Sequence, residues 1–311
     1  METRPHMAEH KPLFEQLKEL TTEQRNPRTH GIDLADTARV LELMNDEDQT
    51  VAATVRRAIP EIARAVELVT AAFRAGGRLF YAGAGTSGRL GILDAAECPP
   101  TFGVEPDLVQ GIIAGGRDTV FRSREGVEDH EASGAEDVAA HGVRAGDVLV
   151  GIAASRRTPY VLGALSEAAR LGARTVFLRC NDGPDPGVDV VITAVVGPEA
   201  LTGSTRLKAG TAQKLVLNMI TTATMVKLGK VYENLMVDVR PNSEKLIERA
   251  KGIVMMLTGL GYEDAARVYE SAGRRVKVAV LMERLKIDAG SAEERLHDAD
   301  GFLARALGEP R

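Results

Sequence analysis

Apolar residues recur at helical spacing from Asp33 to Gly76. Leu34, Ala38, Leu41 and Met44 share one face, then Val51, Val55, Ile59, Ile62, Val66, Val69 and Phe73 share another, which predicts amphipathic helices. Pro60 is expected to kink the second helix or begin a new one. Gly76 and Gly77 end it, and RLFYAG follows as a short strand. Farther on, short unbroken apolar runs take turns with helical stretches: LVQGIIAG, a helix near Arg117 to Val127, DVLVGIAAS, a helix near Pro159 to Leu171, RTVFLRC and VVITAVV. Strands apolar on both faces that alternate with helices predict a parallel sheet covered on both sides, a three-layer α/β/α core. A long helix from about Leu207 to Lys227 closes this unit. Beyond Pro241, Leu246 to Leu307 has helical periodicity with breaks at GLGY and DAG and no convincing strand, which predicts a small helical domain.

Composition narrows the function. The chain has 311 residues, with Lys+Arg 39 against Asp+Glu 44 and a net charge of −5, which excludes an evidently basic nucleic-acid binder. Aromatic residues make up 4% and Trp is absent, so stacking on bases is not its main device. Cys98 and Cys180 stand far apart outside any CxxC, as in a reducing cytosol. No signal peptide and no run of about 18 apolar residues is visible. The expectation is a cytoplasmic protein with no membrane or nucleic-acid partner.

Candidate chemistry gathers where strands end. Gly83-Ala84-Gly85-Thr86-Ser87-Gly88-Arg89 lies between a strand and a helix, where glycines allow close approach and N–H groups with hydroxyls can donate to an anion. The loop also matches GxGxxG, but Glu105 and Asp107, at the spacing of a ribose-binding acid, precede the next strand at its wrong end. Ser155-Arg156-Arg157-Thr158-Pro159 follows a second strand, and Thr202-Gly203-Ser204-Thr205-Arg206-Leu207-Lys208 a third. Each hydroxyl taken singly could equally be a helix cap. Together they predict a site for a phosphorylated, hydroxylated small molecule. Thr86, Ser87, Gly88, Ser155, Thr158 and Ser204 would hold it, and Arg157 or Lys208 would supply positive charge.

Two carboxylates are candidates for proton transfer. Glu97 stands in DAAECPPTFG, before two prolines expected to stop the helix; Glu128 stands in REGVEDHE, where a solvated acidic helix face is the plainer reading. None of the six histidines has metal-ligand spacing. GxSxG is absent, and a hydrolase triad is disfavoured.

These residues resemble the N-acetylmuramic acid 6-phosphate etherases, whose core is a sugar isomerase (SIS) domain. The resemblance rests on NPRTHGIDLADTARVLELMNDED, YAGAGTSGRLGILDAAECPPTFG, LVQGIIAGG, GIAAS before RTPY, VVGPEALTGSTRLKAGTAQKLVLNM and GKVYENLMVDV. It implies an N-terminal helical segment at 1–65, a SIS sugar-phosphate-binding domain at 66–232 and a small helical domain at 242–311. It further implies cleavage of a lactyl ether to N-acetylglucosamine 6-phosphate and D-lactate, without metal or organic cofactor, in at least a homodimer. By the same resemblance Glu97 is the proton donor and Glu128 the other catalytic residue.

One position departs from the family pattern. The second loop usually reads SGRTP, whereas this chain reads SRRTP, so Arg156 is expected either to add a phosphate contact or to crowd the sugar. Competing readings are a sugar-phosphate sensor, since the glucokinase regulatory protein resembles these etherases, and an aldose-ketose isomerase on the same fold.

Overall fold

The computed structural model describes residues 18–240 and 243–309, which fall into two compact units. Residues 18–94 and 109–220 form the first. Its centre is a parallel sheet of β1 (Leu79–Gly83), β2 (Val109–Ile113), β3 (Val148–Ala153), β4 (Arg174–Arg179) and β5 (Val190–Thr193), in the order β2-β1-β3-β4-β5. All five predicted strands are present. β1 and β3 are buried at every position, which is why their sequence shows no polar alternation.

Two helices precede the sheet, α1 (Thr37–Arg57) and α2 (Ile59–Arg74), with Ala58 both ending the first and capping the second. Pro60 thus begins a helix rather than kinking one, because the first turn of a helix lacks N–H acceptors within the chain and loses nothing to proline. Phe80, Ala82 and Leu149 turn to one side of the sheet, where they pack with Val138, Tyr160 and Val161. Val138 lies on α4 (Glu131–Ala140), and Tyr160 and Val161 on α5 (Pro159–Arg170). On the other side Gly91 of α3 (Gly85–Phe102) lies close against Tyr81, as side chains alternate along a strand.

Two expectations are corrected. The segment from Arg117 to Val127 is not an α-helix: a 3-10 turn at Arg117–Val120 is followed by turns and a second 3-10 turn at Val127–Asp129. The left-handed backbone of Gly116 (φ +79°) and Gly126 (φ +80°) brackets it, and the Thr119 hydroxyl bonds the carbonyls of Ala114 and Gly116. Nor do Pro99 and Pro100 stop α3, which continues to Phe102 and ends at Gly103 (φ +64°). The last turn survives because Gly103 N–H donates to the Pro99 carbonyl at 3.0 Å.

The second unit comprises residues 95–108 and the described residues from 221 onward. The helix α6 (Lys208–Lys227) leads into a short antiparallel pair, β6 (Val231–Tyr232) with β7 (Leu235–Met236). Five helices follow: α7 (Glu244–Thr258), α8 (Tyr262–Ser271), α9 (Val276–Leu285), α10 (Ala289–Asp298) and α11 (Leu303–Leu307). They close on Ile253, Val254, Tyr269 and Leu281. Lys277, buried there, is held by Asp238 at 2.6 Å, and burial lowers its pKa.

Candidate active site

The strand order reverses at β1, which pairs with β2 on one side and β3 on the other. Connections leave in opposite directions there, opening a crevice beyond the carboxyl ends of the strands. A cavity of about 370 Å³ occupies that crevice, within the size range of small-ligand sites.

Its floor begins with the first loop. A Cβ on Gly83 would meet Gly88 N at 2.7 Å, and one on Gly88 would meet the Gly83 carbonyl at 2.6 Å. The GxGxxG spacing therefore serves a backbone-to-backbone approach between strand and helix. Gly88 itself does not line the cavity, whereas Thr86 and Ser87 do. The Ser87 hydroxyl reaches Gln213 Oε1 at 2.9 Å.

Ser155 and Thr158 line the cavity from the second loop. Thr158 is the N-cap residue of α5, yet its side chain makes no capping bond; its hydroxyl lies 3.2 Å from that of Ser155. Capping therefore does not account for this hydroxyl. Arg157 is not among the lining residues, and its backbone N–H donates to the Ser155 hydroxyl at 3.3 Å.

The third segment is placed differently. Thr205 lines the cavity, while Ser204 and Lys208 do not. The start of α6 is closed by the buried Glu199, whose carboxylate accepts from Lys208 N at 2.9 Å and Ala209 N at 3.0 Å. The Lys208 ammonium is itself buried on Glu47, 2.6 Å away, and Glu47 also takes the Arg28 guanidinium in a paired bond. Burial alone would raise the Glu47 pKa, but the bonds from Arg28, Lys208 and Asn26 win and hold it at about 2.

Of the two candidate glutamates, Glu128 lines the cavity on the 3-10 turn Val127–Asp129. Glu97 does not: it is exposed on α3. Arg156 also stands away from the cavity, pairing with Glu19 at 2.5 Å and donating to the Asp182 carbonyl. It is not among the non-glycine residues with positive φ, so the missing glycine costs no backbone strain.

Several lining residues were not anticipated. Arg89 donates to the carbonyls of Thr119 at 2.6 Å and Val120 at 2.8 Å and to Ser123 Oγ at 3.3 Å, fixing the loop that carries Glu128. Its position directly after the hydroxyl-rich loop was the available signal. Thr22 and Glu23 arrive from the N-terminal segment, for which the local sequence offers no signal. No group of acidic, histidine or cysteine residues suited to a metal occurs among the described residues, nor any helix long and apolar enough to cross a membrane.

Residues 61–169 match the family described as glucokinase regulatory protein N-terminal SIS domain. The chain is 52% identical over 306 residues to the N-acetylmuramic acid 6-phosphate etherase of Salinibacter ruber, spanning 97% of this chain and 98% of that one. It is 53% identical over 293 residues to the protein of the same name from Geobacillus sp., spanning 94% and 99%. Among solved structures it is similar to a phosphoheptose isomerase from Neisseria gonorrhoeae, at 20% identity and a TM-score of 0.46, covering 61% of this chain and 98% of that one.

Proposed function

We propose a division of labour between two glutamates, on the premise that this chain belongs to the N-acetylmuramic acid 6-phosphate etherase family. The reaction, a step of cell-wall amino sugar recycling, cleaves the lactyl ether of N-acetylmuramic acid 6-phosphate to N-acetylglucosamine 6-phosphate and D-lactate. Thr86, Ser87, Ser155 and Thr158 hold the phosphate, with two helix N-termini behind them. Ring opening gives an aldehyde, which acidifies the hydrogen on carbon 2. The Glu128 carboxylate removes that proton, the bond from carbon 3 to the lactyl oxygen breaks, and the departing oxygen takes a proton from Glu97. Water then adds to carbon 3 of the unsaturated aldehyde. Glu97 takes the water's proton and Glu128 returns its own to carbon 2, so both carboxyls regain their starting states.

The observation that carries this reading is Glu128 on the wall of a cavity bounded by hydroxyl-rich loops. The placement of Glu97 adds a second element to the proposal. Glu97 is exposed on α3 and does not line the cavity, so Glu97 is supplied by a second copy across a two-fold axis, and the working form is a homodimer. Residence in the cytoplasm belongs to the same proposal and is supported by Cys98 and Cys180, both buried and in no disulfide.

The test is D-lactate release from N-acetylmuramic acid 6-phosphate by wild type, Glu97→Gln and Glu128→Gln. Release by wild type that falls at least about a hundredfold in both variants is expected. Full activity in either variant would remove that glutamate from the mechanism.

A further inference from the structure

The 3-10 turn Thr21–Glu23 brings an additional carboxylate to the cavity wall, and its surroundings do not use it. The turn is tied down by its neighbours. Thr21 N–H donates to Asn181 Oδ1 at 2.8 Å, Asn181 Nδ2 donates to the Thr22 hydroxyl at 2.9 Å, and Gly203 N–H donates to the Thr22 carbonyl at 3.1 Å. Farther along, Asn26 Nδ2 donates to the Pro198 carbonyl and Thr29 Oγ1 to that of Ala200. None of these ties involves the Glu23 side chain, whose carboxylate has no hydrogen-bond or ion-pair partner among the described residues.

At Gly203 the positive φ of +76° itself favours glycine, and an added Cβ would stand 3.2 Å from Oε2 of Glu23, which is exposed. The buried Thr22 anchors the turn and so places Glu23 at the cavity wall.

We infer that Glu23 is a specificity-determining residue that accepts a hydrogen bond from an uncharged donor on the sugar. This rests on the etherase reading above. The substrate's two charged groups, the phosphate and the lactyl carboxylate, are both anions and would be repelled by a carboxylate. The groups left for it are a hydroxyl or the acetamido N–H, for which an ionised acceptor is stronger than a neutral one.

The test is calorimetric titration of wild type, Glu23→Ala and Glu23→Gln with N-acetylglucosamine 6-phosphate and with glucose 6-phosphate, beside D-lactate kinetics and melting temperature. The expected result is binding of N-acetylglucosamine 6-phosphate weakened about tenfold or more in Glu23→Ala and less in Glu23→Gln, with KM raised, kcat within about threefold and an unchanged melting temperature. If glucose 6-phosphate loses the same factor, the donor is a hydroxyl; if it loses nothing, the donor is the acetamido N–H. Unchanged affinity for both ligands, or a loss confined to kcat, overturns the inference while leaving the etherase reading intact. A wild type that neither binds N-acetylglucosamine 6-phosphate nor releases D-lactate overturns both.

Discussion

The ammonium of Lys208 lies 2.6 Å from a carboxylate oxygen of Glu47, and both side chains are 1% exposed. The pair joins the start of α6 to the middle of α1 and lies behind the segment that gives Thr205 to the cavity. Its structural weight differs from that of the surface pairs, because neither charge can fall back on water.

Removing one partner strands the other. Lys208→Met or Glu47→Gln alone should destabilise the fold by about 3–5 kcal/mol, while Lys208→Met with Glu47→Leu should recover most of that loss. Arg28, 63% exposed, stays solvated in the double variant. Denaturant titration of the singles and the double measures the coupling.

The same carboxylate gives a pH signature. Glu47 is depressed from an ordinary 4.5 to about 2, so the stability it contributes is fully present above about 4.5 and is lost as pH falls toward about 2. Between those values wild type should lose stability faster with falling pH than Glu47→Gln. Parallel slopes in urea unfolding at stepped pH would count against the depressed carboxyl.

Arg89 acts on Glu128 through the loop it holds. Arg89→Lys replaces a guanidinium fork with a point charge that cannot make all three bonds. The turnover number should fall about tenfold to a hundredfold, with a smaller change in KM, because a displaced base loses its geometry more than the site loses its phosphate contacts.

Glu97 and Glu128 can be separated between subunits. Equal mixing of inactive Glu97→Gln and Glu128→Gln protein, with subunit exchange, should restore about one quarter of wild-type activity. Half the dimers are then mixed, and each mixed dimer has one intact site of two. No recovery after verified exchange would place both glutamates in one chain's site.

Arg156→Gly should leave KM within about twofold. The side chain holds Glu19 and the Asp182 carbonyl rather than the cavity, and a partly exposed pair of this kind contributes only about 0.2–1 kcal/mol. A marked fall in KM would revive crowding of the sugar by this residue.

The sheet was legible because buried parallel strands leave unbroken apolar runs, and the loops after β1 and β3 because hydroxyls and glycines at strand ends form a local pattern. What depends on distant partners was not. Lys208 reads as a phosphate ligand until Glu47 is folded over it. Glu128 reads as part of a solvated helix until Gly116 and Gly126 break that helix. Glu23 reaches the cavity only because Asn181 and Gly203 hold its turn, and no spacing rule connects those positions.

The ties between the N-terminal turns and the loops at Asn181 and Pro198–Gly203 join residues some 159 to 181 positions apart, whereas the sheet is complete by Thr193. Closing so long a loop brings no reward until both ends arrive. The wall bearing Glu23 should therefore be among the last parts of the first unit to form, on the ribosome and in refolding alike. Recovery of sugar-phosphate binding then reports the finished fold, lagging behind the return of secondary structure.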